Sequence, residues 1–345
     1  MPKFGLVLPI QSRQAGLHEL LDELSEEVLL AERSGFDAVF LTEFHQAHAG
    51  ALVSPLLVLA WLGARTSRIR LGTLVLATPL HDPVRLAEDA LMLDWASRGR
   101  LILGLGSAHM PVDFELYGRP RQQRYAIFDE ILDLVEACWS NEPFDHQGRF
   151  FQRKGHVTPR PFTPGGPPLW IGAHGPLGLR RAALRAKAWV CDPQRDITVA
   201  ARLAEEYRQA ASQAGRPSEV VLFREAWVGE SRAECEAVWA PHALRVHRLY
   251  FNVGVYHPRF EPWVAQVADR EDFTLERVAP ERFLYGDAAE VRREAAAWLE
   301  ATGAQYIAVR MRHPTGPTHP QTLEAIERFG SGVIAPLSDR STDAP

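Results

Sequence analysis

A chain of 345 residues, 46% hydrophobic and 23% charged, carries enough apolar material for one large α/β barrel or two smaller domains. Its formal net charge of -5 and scattered arginines exclude the basic footprint of a nucleic-acid binder, and no apolar run approaches the roughly 20 residues that a membrane-spanning helix needs. Three widely spaced cysteines, Cys138, Cys191 and Cys235, fit reduced thiols and exclude a CxxC metal or redox motif, and with no signal peptide ahead of the first strand the expected location is the cytoplasm.

In chain order, residues 4–8 are a predicted strand, and apolar residues at helical spacing over 17–34 predict a helix that Gly35 ends. Residues 37–41 form the next strand, followed by a polar, histidine-rich loop over 42–53 and a helix over 55–64. The β-branched and leucine run at 69–76 reads as a strand covered on both faces. Pro83 then opens a helix that Gly99 stops, and residues 101–105 form a second buried strand. This βαβ unit sets its strands in parallel, so the loops at 77–82 and 106–111 open on one face. A helix over 121–139 follows, then a segment over 143–168 dense in proline, glycine and aromatics that predicts a hairpin. Strands at 169–173, 188–191, 220–228 and 306–311 alternate with helices at 179–186, 197–214, 287–301 and 321–329.

Eight strands, each followed by a helix, predict a (β/α)8 TIM barrel with insertions. We expect a single domain over 1–337, an aromatic insertion at about 240–284 containing Tyr250, Phe251, Tyr256, Phe260 and Trp263, and a disordered tail over 338–345. A doubly wound dinucleotide fold competes through Gly104 and Gly106. However, the third glycine of that motif is absent, and Pro111 stands in place of the helix that should receive a pyrophosphate.

Barrel ligands bind at the C-terminal strand ends, which here hold Gln11, Glu43 to His48, Leu74 to Thr78, Gly106 to His109, Ala173 to Gly178, Asp192 and Trp227. Glu43, His45 and His48 come from one loop, and no metal site is expected. The fifth strand end, IGAHGPLGLRRAA, reads either as an ordinary glycine-rich turn or as a phosphate seat. In the second reading Gly172, Gly175 and Gly178 admit a ligand to the backbone, and the helix starting near Leu177 offers free N–H groups.

The segments FGLVLP, GFDAVFLTEFH, IRLGTLVLATPLHDPVRLAEDALMLDWASRGRLILGLGSAH, PPLWIGAHGP, YGDAAEVRREAAAWLEATGAQYIAVR and GVIAPL occur in this order. With them the chain resembles, over nearly its full length, the bacterial luciferase-like flavin-dependent monooxygenases. That resemblance implies a (β/α)8 barrel with a non-prolyl cis peptide under the flavin near Thr73 and Leu74. It places Ser107 where many members carry a flavin-contacting arginine, and puts the flavin phosphate at His174, Gly175 and Gly178. The family's glutamate followed by two histidines is Glu43-Phe44-His45 here. Luciferase's catalytic histidine is thus replaced by Phe44, leaving His45 or His48, with Glu43, as the acid–base group. Phe44, Met110 and Trp227 are expected to wall an apolar substrate pocket.

The implied activity is a monooxygenase in which oxygen adds to reduced FMN, giving a flavin peroxide that oxidises a small, largely apolar aldehyde, ketone or alkane-like substrate. Lacking a complete nicotinamide fingerprint, the enzyme is expected to draw reduced flavin from a separate reductase, and the family implies a homodimer. Two alternatives stay open: an F420-dependent dehydrogenase or reductase acting by hydride transfer, and a non-catalytic flavin-binding protein.

Overall fold

Eight parallel strands close on themselves: β1 Lys3–Val7, β2 Ala38–Leu41, β3 Arg70–Thr73, β4 Leu101–Gly106, β5 Leu169–Gly172, β6 Ala188–Cys191, β7 Glu219–Val228 and β8 Tyr306–Arg310. Each pairs with the next, and β8 returns to β1 through the register Lys3 to Tyr306. The structure, a computed structural model, describes residues 1–13, 15–46 and 51–339; His48 and residues 340–345 lie outside the described residues. The eight strands and the alternating helices stand where sequence periodicity places them, in a TIM barrel.

Side chains alternate between two apolar layers, as strands in a closed barrel require. Val7, Phe40, Ile102, Trp170, Val221 and Tyr306 fill the interior, while Leu6, Val39, Leu103 and Leu222 pack outward beneath the helices. Phe40 occupies the centre, with its ring centroid 5.3 Å from Trp170 and 6.0 Å from Tyr306. Gly5 and Gly72 make room for that ring, because a Cβ on either would lie 2.4 Å from it.

The feature that shapes the top of the barrel is a bulge after β3. Gly72 pairs with Ile102 and Leu76 with Leu105, so the chain advances one residue further on the β3 side than on β4. Leu74 and Val75 bridge the gap through a cis peptide, one position beyond the expected place. The bulge presses on β4: a Cβ on Gly104 would sit 2.0 Å from the Thr73 carbonyl oxygen, and one on Gly106 would sit 2.5 Å from the Val75 side chain. These two glycines are therefore required by strand packing, a reason that neither a dinucleotide motif nor ligand approach supplies.

Four local expectations change. Pro111 opens a short helix, Pro111–Leu116, instead of abolishing one, since proline's fixed φ and missing N–H suit a first helical position. The helix expected from 179 begins at Pro176 for the same reason. The ten-residue β7 outruns the barrel, and its last residues, Glu225 to Val228, pair with an extra parallel strand, Phe283–Gly286, at the end of the segment read as an insertion. That segment also contains the helix Ala240–Asn252. Finally, the last helix, Ala335–Asp339, takes in two residues assigned to the tail.

Candidate functional site

The C-terminal strand ends surround a cavity of about 340 Å³ floored by the bulge residues Leu74 to Ala77. Phe44 closes one side, Phe223 and Tyr250 another, and Val253 to Val255 of the inserted segment reach over it. These surfaces are apolar, and the polar groups converge from two directions.

The first is Glu43. Its carboxylate is buried, accepts the Ala77 N–H at 2.5 Å, and meets Nε2 of His45 at 3.1 Å and Nε2 of His81 at 3.0 Å. Burial alone would raise its pKa, but these three donors outweigh burial and bring it to about 2. An ionised carboxylate only accepts, so both imidazoles present N–H to it. The bond to Glu43 in turn raises the pKa of His45, whose Nδ1 lies 3.2 Å from the Tyr117 hydroxyl. Glu43 is thus a fixed anion pinning the cavity floor through Ala77, and at neutral pH it has no proton to give. Glu43 borders the cavity, whereas His45 and His81 open onto a separate groove between the helices Pro55–Gly63 and Pro83–Ser97.

The second direction is cationic. Arg124 and Tyr125, which open the helix Arg124–Trp139, and Arg121, in the turn just before it, line the cavity. Arg124 donates to the Arg121 carbonyl at 3.2 Å and to the Tyr125 hydroxyl at 2.9 Å, and its Nε is buried without a partner. The guanidinium meets only neutral acceptors, and no carboxylate pairs with it among the described residues. An adjoining cavity of about 280 Å³ shares Ser107, Tyr125 and His174 and runs along Gly175 to Gly178 toward Arg181, which is paired with Asp129. Gly175 is the N-cap of the helix Pro176–Arg185, whose first N–H groups have no partner within the helix. A Cβ on Gly175 would meet nothing within 4 Å, while one on Gly178 would lie 2.8 Å from Ala173 Cβ. Gly178 is there for helix–strand packing, and only Gly175 leaves open backbone.

Two further histidines face this space. The His174 ring is ion-paired with Asp192, whose carboxylate is held below the usual range because Arg195 and His174 outweigh the effect of burial. His109 lines the cavity. Desolvation, and then the electrostatics of its Arg121 and Arg124 neighbours, lower its pKa to about 4, so the imidazole is neutral at pH 7.

Of the residues singled out from sequence, Glu43, Phe44, Leu74, Ser107 and His174 come together around the main cavity, and Gly175 and Gly178 around the adjoining one. Thr73 is buried below the floor, its hydroxyl donating to the Gly104 carbonyl at 2.8 Å. Met110 caps the helix Pro111–Leu116 and Trp227 is packed in the core, and neither is among the residues lining the cavities. Sequence reasoning did not assign Arg121, Arg124 or His81; it placed His109 at a strand end and Tyr250 in the aromatic insertion without giving either a role of its own. A signal for Arg124 existed: a cation in the first turn of a helix opposes its dipole and suits a position that an anion will share.

Known proteins bear on this geometry. Residues 1–306 match the model of the luciferase-like monooxygenase family. A flavin-dependent trigonelline monooxygenase, oxygenase component, from Acinetobacter baylyi is 25% identical over 99% of this chain and 97% of its own. An uncharacterized protein of Sinorhizobium fredii, y4vJ, is 32% identical, but the match spans only 50% of this chain and 51% of that one. Among solved structures, the oxygenating constituent of 3,6-diketocamphane monooxygenase from Pseudomonas putida, in complex with FMN, has a similar fold with a TM-score of 0.79 at 18% identity, covering 96% of this chain and 98% of that one. With a matched family model running from the first strand through the start of the last, and a site in which an apolar floor adjoins a cationic arm, the chain belongs to the luciferase-like monooxygenases.

Proposed function

We propose that this enzyme binds reduced FMN across the two cavities and uses O2 to oxidise a small, largely apolar organic substrate. The observation that carries the cofactor assignment is Arg124, a cation with a buried, unpartnered Nε that lines the main cavity with the apolar floor, beside Tyr125, which lines both that cavity and the one along Gly175. A flavin needs that combination, an apolar surface for its ring system and a cation for its phosphate. The ring belongs over Leu74 to Ala77. The phosphate belongs with Arg124, Tyr125, Ser107 and the Gly175 N-cap, so that Arg124 supplies the charge that Ser107 lacks.

Reduced FMN, when bound, activates dioxygen for transfer of one oxygen atom to the substrate. The protein's part is to hold and to shield. Phe44, Phe223 and Val253 to Val255 keep water from the reacting centre, and Glu43 fixes the floor through Ala77. His109, neutral and facing the cavity, is better placed than His45 to accept or return a proton, because His45 lies behind Glu43. We place the enzyme in the cytoplasm as a homodimer served by a separate flavin reductase. The oxygenase-component name of the Acinetobacter relative supports that division of labour, and no helix among the described residues is long and apolar enough to cross a membrane.

Anaerobic titration with reduced FMN and, separately, with reduced F420 tests the cofactor. We expect saturable binding of FMN and none of F420, followed by oxygen consumption when air is admitted with substrate. Anaerobic turnover with F420 would replace this reading by hydride transfer. NADH oxidation at the rate of product formation, with no reductase added, would remove the partner.

A further inference from the structure

Behind the Phe223–Tyr250 wall lies a buried polar chain that oxygen activation does not call for. Glu225, on the interior face of β7, is fully buried and forms a two-toothed ion pair with Arg310 of β8. His247 places Nε2 3.0 Å from the same carboxylate and Nδ1 2.5 Å from the Tyr256 hydroxyl. A further Arg310 nitrogen lies 3.2 Å from the Tyr250 hydroxyl. His313 borders Glu225 at 3.5 Å from the other side.

The direction of each hydrogen bond follows from chemistry. The Glu225 carboxylate only accepts, because Arg310, His313 and His247 outweigh its burial and keep it ionised. His247 must therefore donate from Nε2, and as a neutral ring it accepts the Tyr256 proton at Nδ1. Arg310 has donors only, so the Tyr250 oxygen must accept from it. The Tyr250 hydrogen is then left over. Tyr250 has no other hydrogen-bond partner among the described residues, and the open space its ring borders is the cavity.

We infer that Tyr250 is the hydrogen-bond donor that the site offers to an oxygen of its substrate, which selects carbonyl compounds over hydrocarbons of the same shape. Arg310 and Glu225 are positioning residues: by filling the phenol's acceptor side with an N–H they aim its proton at the ligand. The inference rests on the proposed reading that a small organic substrate occupies this cavity beside the cofactor, and it narrows that substrate to one with a carbonyl oxygen near Tyr250.

The test compares 2-octanone with octane as ligands for the full-length protein, with and without bound FMN, in wild type and in Tyr250→Phe. The substitution keeps the ring and its packing, and thermal denaturation shows whether the variant is folded. The ketone-to-octane affinity ratio of wild type is expected to exceed that of Tyr250→Phe by about tenfold, the worth of one hydrogen bond, with FMN affinity unchanged. Comparing the two ratios cancels the difference in transfer from water between ketone and alkane. An equal ratio in wild type and in the folded variant overturns the inference. A fall in FMN affinity with an intact ketone preference also overturns it, by assigning the donor to the cofactor. Because the ligand preference is read without FMN as well, failure of wild type to bind FMN would remove the cofactor proposal alone.

Discussion

Two residues separate the roles of charge in this site. Arg124 is held by neutral acceptors and Glu43 by three donors, so the first awaits an anion and the second is already satisfied. Arg124→Ala is expected to weaken FMN binding by roughly 10- to 100-fold, the loss of a charge-assisted hydrogen bond. Riboflavin, which lacks the phosphate, should bind the variant and wild type alike. Fluorescence titration of both flavins checks this, and equal losses for the two would show that Arg124 supports the ring and not the phosphate. Glu43→Ala strips an acceptor from Ala77, His45 and His81 and should destabilise the protein by about 1–3 kcal/mol.

The same cluster sets a pH dependence with two signs. The Glu43 pKa is depressed, so its contribution is full above the ordinary carboxylate value of 4.5 and is lost as pH falls toward about 2. The His45 pKa is raised, so its contribution is full below the ordinary imidazole value of 6.5 and is lost as pH climbs through the raised value. Thermal unfolding of His45→Asn should therefore differ most from wild type near pH 5–6 and converge with it on the alkaline side. Of these partners, Glu43 and His45 were legible in the sequence because they adjoin in one loop. His81 was not, since it joins them only through the closure of β2 beside β3.

At the scale of elements, the bulge after β3 decides which glycines matter. Gly104→Ala drives a Cβ to 2.0 Å from the Thr73 carbonyl and should cost about 1–3 kcal/mol or more, lowering the melting temperature and displacing the cavity floor. Gly175→Ala meets open space and should change stability by no more than about 0.5 kcal/mol. Differential scanning calorimetry of the two variants distinguishes a packing glycine from one that packing does not require. The sequence shows both as members of glycine-rich strand ends and has no means of telling them apart, because the difference depends on which backbone passes overhead. Element existence was readable from period and punctuation: Gly35, Gly99 and Gly215 do lie just past the ends of helices. The strand Phe283–Gly286 was hidden because it pairs with the overhang of β7, a partner that no local pattern announces.

For the whole molecule, the barrel centre carries stability and, on the proposed function, the inserted segment adds selectivity. Phe40→Ala would empty the space that Gly5 and Gly72 were made small to accommodate and should cost about 3–5 kcal/mol, read as a shift in the denaturant midpoint. The fold class and the family resemblance could both be read from sequence, since eight buried strands and an ordered set of segments are spread over nearly the entire chain. Of the cavity walls, Phe44 was legible from its place in the loop after β2, whereas Tyr250 and Val253 to Val255 were not fixed individually, because they come from a stretch compatible with either core or pocket.

The overhang of β7 fixes where that stretch leaves and rejoins the barrel. The chain leaves the barrel along Glu225 to Val228 and returns to the same strand through Phe283–Gly286, so both ends of the excursion are fastened to one ladder. The segment between the helix Arg232–Val238 and Phe283 stays outside the ring of eight strands, and it meets the barrel through His247 to Glu225 and Tyr250 to Arg310. A relative's excursion grafted between those two points would bring its own ceiling to the cavity and leave Arg124, Glu43 and the bulge in place. On the proposed function, the barrel would keep the cofactor while the excursion sets the substrate.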